Sequence, residues 1–334
     1  LTNIPVGKTG EGVTARKIYR TKANGIEYYY LTTINDAVNH FFSVEPYKSY
    51  REYFNVYTGI AVSPESGIGS VNTIINNKFS TYALDGTTLG PNVAVCPGCD
   101  VTVLNYAIKA PTVSESNISK TLVVMVANTS EYSGITYMYP DGSAIAYCPV
   151  SDYGYPYDFR GLIQHEAGGH GFGKLADEYI SHNAFIQACS CGCHPHVRAI
   201  LNAKNLGWYE NISLSGKLNE VPWSHFIFHE KYNQIVDVFE GAFYHSRGVY
   251  RSEQTSCMNN NIPYYNAISR ESIVKRIISY AGETYSFSNF LAKDVLEASV
   301  PTKGLVTPEA LRGPSIQHNA PVILNHNPFS NVKK

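Results

Sequence analysis

The order of apolar and polar positions predicts alternating helices and strands in the first ninety residues. From Tyr28 to Phe42 apolar residues recur at helical spacing, which predicts an amphipathic helix that ends before Pro46. A second short helix is expected over 47–53. The run from Phe54 to Val62 predicts a strand, and the stretch 63–90, rich in Gly, Ser, Asn and Thr, predicts a long surface loop.

The middle of the chain contains the clearest candidate for a buried strand. Residues 120–128 are apolar almost throughout, as expected for the central strand of a sheet. Shorter strands are predicted over 135–139 and 144–148, and a helix is favoured over 101–110. This mixture of helices and strands indicates the α/β (α+β) class.

The second half is predicted to contain more helix than strand. Helices are predicted over 158–171, 197–206 and 269–280, and short strands over 223–228 and 235–239. The tail from Thr284 to Lys334 has five prolines and little periodicity, so we expect it to wrap the domain in extended form.

Composition indicates a globular protein and excludes two classes of partner. The chain has 334 residues, 44% of them apolar, and a formal net charge of −1. This balance gives no general attraction to nucleic acids or anionic membranes. No run of about 20 apolar residues is present that could span a membrane. The length allows one large domain or two subdomains around a cleft.

Two histidines and a glutamate between residues 165 and 170 predict a metal site. His165 and His170 are residue types that bind zinc, and Glu166 could act as a general base on a water. The usual motif is H-E-x-x-H, but here one residue is added. In a regular α-helix, positions five apart lie about 140° around the axis, so the imidazoles could not share an ion. A π-bulge at 167–169, where two glycines tolerate irregular backbone, would restore a common face.

The remaining site residues are expected farther along the chain. After a turn at Gly173, Asp177 and Glu178 are the candidates for the third ligand of Zn²⁺. We favour Asp177, with Glu178 or Tyr179 orienting a ligand. Two catalytic candidates, which could stabilise an oxyanion or simply pack, are Tyr264 and Tyr265. The strand 144–148 is expected to be an edge strand on which a peptide substrate could lie extended.

Three stretches resemble the IgA-peptidase-like zinc metallopeptidases, the igalysin branch of the metzincins. Residues 170–179 are similar to the zinc signature of that family, and residues 42–56 are similar to its early helix–strand junction. Residues 248–258 are similar to the approach to its Met-turn, with Met258 in the methionine position. The chain departs from the family at the extra residue between its histidines. The dipeptidyl-peptidase III family uses a similar six-residue H-E-x-x-G-H motif for zinc, but the rest of this chain does not resemble that family.

The resemblance implies a metzincin-like zincin domain with two subdomains. Residues 1–173 would form an upper subdomain, with a twisted mixed sheet and an active-site helix above the cleft. Residues 174–334 would form an irregular lower subdomain with the third ligand, the Met-turn, a C-terminal helix and an extended tail. The implied function is a zinc-dependent endopeptidase that acts on a protein or peptide, for which a host glycoprotein is one candidate.

Two alternative functions stay open at this point, and the cellular location is an expectation. A non-catalytic surface module that binds glycan or protein and keeps a vestigial metal site would account for the extra residue and the 26 tyrosines. A hydrolase of a non-peptide amide would use the same metal site. We expect a bacterial monomer that is secreted, periplasmic or on the cell surface. The chain begins at Leu1 without a leader, as a processed product does.

Cysteines form a second group of candidate ligands around residues 189–196. The seven cysteines are an odd number, so they cannot all pair within the chain. Five neighbouring residues are of metal-binding types: Cys189, Cys191, Cys193, His194 and His196. Their C-x-C-x-C spacing is tighter than that of ordinary structural zinc loops, so disulfides to Cys96, Cys99 or Cys148 are the favoured interpretation.

Overall fold

A computed structural model of the chain describes most of its residues. The described residues are 19–21, 28–30, 32–59, 61, 63–65, 67–70, 72–83, 89–91, 99–130, 133–186, 194–296 and 319–329. The helices are α1 (Thr32–Phe41), α2 (Cys99–Ala107), α3 (Phe159–Leu162), α4 (Pro195–Asn205), α5 (Ser224–Ile227), α6 (Cys257–Asn260), α7 (Ala267–Ala281) and α8 (Phe287–Lys293), with a π-helix at Ile163–Phe172 and 3₁₀ helices at Arg51–Tyr53 and Glu115–Lys120.

The strands form several small mixed sheets. They are β1 (Tyr19–Thr21), β2 (Tyr28–Tyr30), β3 (Gly69–Ser70), β4 (Thr81–Ala83), β5 (Leu89–Pro91), β6 (Leu122–Ala127), β7 (Ile135–Met138), β8 (Ala144–Pro149), β9 (Ile180–Phe185), β10 (Ile212–Ser213), β11 (Phe239–Ala242), β12 (Tyr244–Arg251) and β13 (Val322–Ile323). One sheet has the order β13-β7-β8-β6 and another the order β10-β12-β11 with β9 beside β12. The remaining sheets are a three-stranded one of order β3-β4-β5 and a two-stranded one of β1 and β2. The fold is therefore mixed α/β, as the sequence predicts.

The sheet next to the π-helix differs from the prediction in which strand is central. Strand β8 is antiparallel to β7 on one side and parallel to β6 on the other, and all of its residues are buried. The prediction that 144–148 is an edge strand is therefore wrong. Strand β6, predicted to be central, pairs with β8 alone among the described strands.

The apolar run in β6 arises from burial of both faces of the strand, not from a central place in the sheet. Val124 and Val126 pack against one hydrophobic cluster, whereas Val123 and Met125 pack against another on the opposite face. Both faces of the strand are covered, so every position favours an apolar residue even though one edge is not paired with a described strand.

Several predicted boundaries also need correction. Helix α1 begins at Thr32, and residues 28–30 instead pair with β1. The described residues of 54–62 form no strand, and strands β3 to β5 interrupt the predicted loop 63–90. The predicted strand 223–228 contains helix α5, and only the last residue of the predicted strand 235–239 belongs to β11. The helices near 101–110, 197–206 and 269–280 are confirmed. Helix α8 lies within the tail predicted to be extended, so that prediction is wrong for Phe287–Lys293.

The largest hydrophobic cluster surrounds the π-helix. It joins Phe41 and Tyr47 from the start of the chain with Ile273 and Phe290 from its second half. This cluster contains residues from both sides of Gly173 in sequence. The division of the chain into subdomains at 1–173 and 174–334 therefore stays a prediction. In the part of the chain that the structure describes, no helix is long and apolar enough to cross a membrane.

Candidate active site

The two histidines of the motif are brought together by a π-helix. Asp158 is the N-cap of helix α3, and its carboxylate accepts a hydrogen bond from Gly161 N at 2.9 Å. Helix α3 continues directly into the π-helix Ile163–Phe172. A π-helix closes hydrogen bonds between residues five apart, so residues five apart share a face. His165 and His170 are five apart, and their ring centroids lie 4.8 Å from each other. The predicted π-type irregularity is confirmed, but it is a π-helix of ten residues rather than the predicted single bulge within 167–169.

Glycines in the π-helix allow a buried tyrosine and a buried methionine to approach its backbone. A Cβ atom at Gly168 would collide with the hydroxyl of Tyr265, and a Cβ at Gly169 would collide with Sδ of Met258. The Tyr265 hydroxyl donates to the carbonyl of Gln164 in the same helix. Met258 is 0% exposed, so it has no room to move away. The two glycines therefore allow Tyr265 and Met258 to pack directly against the backbone of the π-helix.

Asp177 lies against both histidines. Its Oδ1 is 3.1 Å from Nε2 of His165 and 3.3 Å from Nε2 of His170. All three side chains are buried, and one potential ligand atom from each lies within 4.8 Å of the others. The turn after the π-helix, in which Leu175 N donates to Gly169 O at 3.0 Å, brings residue 177 back to the histidines.

Backbone carbonyls fix the orientation of both imidazole rings. Nδ1 of His165 lies 3.1 Å from Cys257 O, and Nδ1 of His170 lies 2.8 Å from Leu175 O. A carbonyl can only accept, so each Nδ1 must carry the proton. In the neutral ring this leaves the lone pair on Nε2, the atom that faces Asp177. Zinc-binding histidines are held in the same way, with the other ring nitrogen donating to a carbonyl or carboxylate.

Electrostatics in this group favour opposite charges on its members. Burial raises the pKa of Asp177, but the neighbouring His170 and His165 outweigh it and hold the pKa of this carboxyl well below its usual range. Burial lowers the pKa of His170, yet the charge and hydrogen bond of Asp177 reverse the effect and raise it. A buried anion thus lies among imidazoles, an arrangement that attracts a cation.

Glu166 is held by the neighbouring strand β7. The hydroxyl oxygen of Thr136 lies 2.9 Å from both Oε2 and the backbone carbonyl of Glu166. Burial raises the pKa of Glu166, although His170, His165 and the bond from Thr136 oppose that effect. A buried carboxyl group with a raised pKa, placed next to a histidine, is suited to proton transfer.

Glu178, the other candidate for third ligand, points away from the histidines. Its Oε1 accepts from Asn211 Nδ2 at 2.8 Å and from Asn266 Nδ2 at 2.7 Å, and its Oε2 accepts from the Ser256 hydroxyl. Its backbone N donates to Met258 O at 2.8 Å. The side chain thereby ties the turn after the π-helix to residues 256–266.

The two tyrosines predicted to be catalytic have hydrogen-bond partners other than His165, His170 and Asp177. The hydroxyl of Tyr264 donates to Glu253 Oε2 at 2.7 Å, and that of Tyr265 donates to Gln164 O. Tyr179 is buried and packs its ring against Tyr244 at a centroid distance of 5.2 Å. Neither Tyr264 nor Tyr265 is grouped with the three potential ligands.

Sequence reasoning missed a tyrosine that contacts the central carboxylate. The hydroxyl of Tyr244, at the start of β12, donates to Oδ2 of Asp177. Backbone bonds hold this segment in place, because Phe243 N donates to Asp177 O at 3.2 Å. No motif marks Tyr244 or Thr136, since each comes from a strand remote in sequence from the residue that it contacts.

The cysteine predictions are only partly covered by the described residues. Cys148 and Cys257 are buried free thiols, so the suggested disulfide to Cys148 is wrong. The side chains of Cys96, Cys99, Cys189, Cys191 and Cys193 lie outside the described part of the chain. Burial raises the pKa of the Cys148 thiol well above its usual value, which keeps it protonated and inert.

Comparison with known families shows which class of enzyme the chain belongs to. A family model described as IgA Peptidase M64 matches residues 27–237, which is more than half of the 334 residues. The chain belongs to the IgA peptidase M64 family. It is therefore a metallopeptidase, and the resemblance noted in the sequence is confirmed. A search of curated proteins found no match to the chain.

The M64 match covers only part of the group described above. It includes the π-helix, Thr136 and Asp177, but it ends before Tyr244 and Met258. The contacts that these two residues make with Asp177 and Gly169 are therefore known from the geometry of this chain.

Proposed function

We propose that this M64 metallopeptidase is a zinc-dependent endopeptidase in which His165, His170 and Asp177 hold the ion. One observation carries the proposal: two imidazole lone pairs and a carboxylate oxygen converge on one buried point. With both rings neutral these atoms are all acceptors and cannot satisfy each other, and within the described residues Nε2 of His170, although 3.3 Å from Asp177 Oδ1, makes no hydrogen bond of good geometry. A cation at this point would satisfy all three atoms.

The donor set fits zinc. Imidazole nitrogen and carboxylate oxygen are both zinc ligands, and catalytic sites use three protein ligands with one position open. Both histidines would bind through Nε2 while Nδ1 donates to a carbonyl. The hydroxyl of Tyr244 holds the second carboxylate oxygen of Asp177, which leaves Oδ1 for the ion.

Glu166 is the proposed general base and acid. Zinc bound at this site would act as a Lewis acid that activates water and polarises the carbonyl of a peptide bond. Glu166 would take a proton from the attacking water and return it to the leaving amine. Thr136 keeps the carboxylate in place through its bond to Oε2, so the proton moves to a group of fixed position.

Glu178 has a supporting role in this proposal. Its three side-chain hydrogen bonds and its backbone bond to Met258 fix the turn that carries Asp177. Met258 lies directly beneath Gly169, which is the relation expected for a metzincin Met-turn and supports that assignment. Tyr264 and Tyr265 would have to leave Glu253 and Gln164 to reach an oxyanion, so we propose that they pack and position instead.

The substrate would lie along β7 rather than β8. Strand β7 contains Thr136, the residue that holds Glu166, and its outer edge is the one farther from β8. This edge is covered by β13, where Leu324 N donates to Met138 O at 2.8 Å. An extended peptide could add to β7 only after the 319–324 segment moves away. Because Glu166 and Asp177 are 0% exposed, a substrate could reach them only after part of the chain that covers them moves.

Zinc content and peptide cleavage, measured together, test the proposal. We expect Glu166→Gln to retain the zinc of the native protein and to lower cleavage of a broad peptide library about 100-fold or more. Glu115→Gln is the matched control, because Glu115 is an exposed glutamate in a 3₁₀ helix. Retained cleavage in Glu166→Gln contradicts the role of Glu166. A zinc-replete native protein that cleaves no peptide favours a non-catalytic binding module.

A further inference from the structure

Three histidines outside the active site form a second cluster of potential metal ligands. His194 and His196 lie at the start of α4, and His245 lies in β12. One ligand atom from each lies within 4.8 Å of the others. We propose that these imidazoles bind a second late first-row divalent ion, with Zn²⁺ as the representative case. This inference does not depend on the proposed function of the His165 group.

The distances are close to those that a shared ion needs. Zinc lies about 2.0–2.1 Å from a histidine nitrogen, which places two nitrogens of a tetrahedral site about 3.4 Å apart. His196 Nδ1 and His245 Nε2 are 2.8 Å apart. The ring centroids of these two residues are 5.1 Å apart, and that of His194 is 5.5 Å from each of them. Small side-chain rotations would therefore be enough to seat the ion.

Regular secondary structure fixes the backbone of all three ligands. His194 is the N-cap of α4 and accepts from His196 N at 3.2 Å, with Pro195 as the first helical residue. His245 is held in β12, which pairs with both β9 and β11. The ring of His196 packs edge-on against Phe243 and Tyr244. The cluster thus joins two elements that are about fifty residues apart in sequence.

The chemistry of the cluster selects the class of ion. Three imidazoles without a carboxylate suit zinc, copper or nickel rather than calcium or magnesium. His245 is buried, whereas His194 and His196 reach the solvent, so a water can occupy the fourth position. Two solvent-reaching ligands also provide a path by which the ion can enter.

An ion here would position a residue of the first site. His245 directly follows Tyr244, whose hydroxyl donates to Asp177 Oδ2. Binding of His245 to an ion shared with α4 would restrict the start of β12 and hold Tyr244 against Asp177. Tyr244 has φ = 72°, a left-handed conformation that is costly for a tyrosine and that needs such support.

Zinc stoichiometry of the full chain tests the proposal. The protein is stripped of metal, dialysed with Zn²⁺, freed of loose ions by gel filtration and analysed by mass spectrometry. We expect two equivalents of zinc in the native protein and one in His194→Asn or His245→Asn. Asparagine is an effective N-cap, so His194→Asn keeps the first turn of α4 while removing a ligand. The matched control is His229→Asn, a histidine outside both clusters, which should keep two equivalents.

The variants of the two sites distinguish this proposal from the one for the active site. His165→Ala should also retain one equivalent, held by the second cluster, and the His165→Ala/His194→Asn double variant should retain none. Circular dichroism checks that each variant is folded, and His194→Asn decides the matter if His245→Asn does not fold. Native levels of zinc in His194→Asn, or a single equivalent that His165→Ala abolishes, would overturn the second site.

Discussion

The contact between Gly169 and Met258 gives a direct test of how the π-helix is held. In Gly169→Ala the new Cβ would collide with Sδ of Met258 and lie 2.9 Å from its Cε. Met258 is buried and cannot retreat to solvent. Overpacking of this kind costs about 1–3 kcal/mol, whereas alanine gains about 1 kcal/mol over glycine in a helix. We expect a net loss of up to about 2 kcal/mol in the free energy of unfolding.

Removal of the methionine side chain should reverse the sign of that effect. Met258→Ala alone should cost about 2–5 kcal/mol, because it leaves a cavity beneath the helix. In this background the Cβ of Gly169→Ala enters empty space, so the alanine should stabilise the protein. Urea unfolding of the metal-free native protein, both single variants and the double variant gives the coupling energy, which we expect to be about 1–3 kcal/mol.

A matched variant separates this contact from the general effect of glycine replacement. A Cβ at Gly154 would meet no atom within 4 Å, so Gly154→Ala should be close to neutral in both backgrounds. Equal destabilisation by Gly169→Ala with and without the Met258 side chain would show that the collision with Met258 is not the cause. The packing of Met258 would then not determine which residue is allowed at position 169.

Two further predictions concern the surroundings of the ion and the substrate edge. Tyr244→Phe removes the bond to Asp177 Oδ2 and should weaken zinc binding about 10- to 100-fold in a chelator competition. Tyr285→Phe, which loses a bond to Glu271 instead, should bind zinc normally, and equal affinities in both variants would exclude a role for Tyr244. Leu324→Pro removes the hydrogen bond from β13 to Met138 O. If β13 competes with substrate, this variant should raise kcat/KM about 2- to 10-fold relative to Leu324→Ala, because one hydrogen bond contributes about 0.5–1.5 kcal/mol. An unchanged kcat/KM would place the substrate elsewhere.

Local chemistry was predictable where one stretch of sequence contains the whole signal. His165, Glu166 and His170 lie within six residues, and their spacing alone required an irregular helix. Asp177 follows at a short distance after a glycine turn. The structure brings His165, His170 and Asp177 together and leaves Glu178 outside that group.

Long-range pairing was not predictable from local patterns. Strand β8 is inner because β7 and β6 pair on either side of it, and the remote segment β13 pairs with the outer edge of β7. Strand β6 is apolar because hydrophobic clusters cover both of its faces, although one of its edges has no described partner. His245 likewise lies next to His196 although about fifty residues separate them in sequence, and the strand that contains His245, β12, pairs with β9. Apolar periodicity reports burial of each face, and it contains no information about which strand is the neighbour.

Anomalous diffraction from crystals of the zinc-loaded protein would show which side chains hold the ion. We expect a peak at the zinc edge about 2.0–2.1 Å from Nε2 of His165, Nε2 of His170 and Oδ1 of Asp177. The carboxylate of Glu178 should stay bound to Asn211 and Asn266. Absence of a peak between the two histidines, or a peak bound by Glu178 instead of Asp177, would contradict the account.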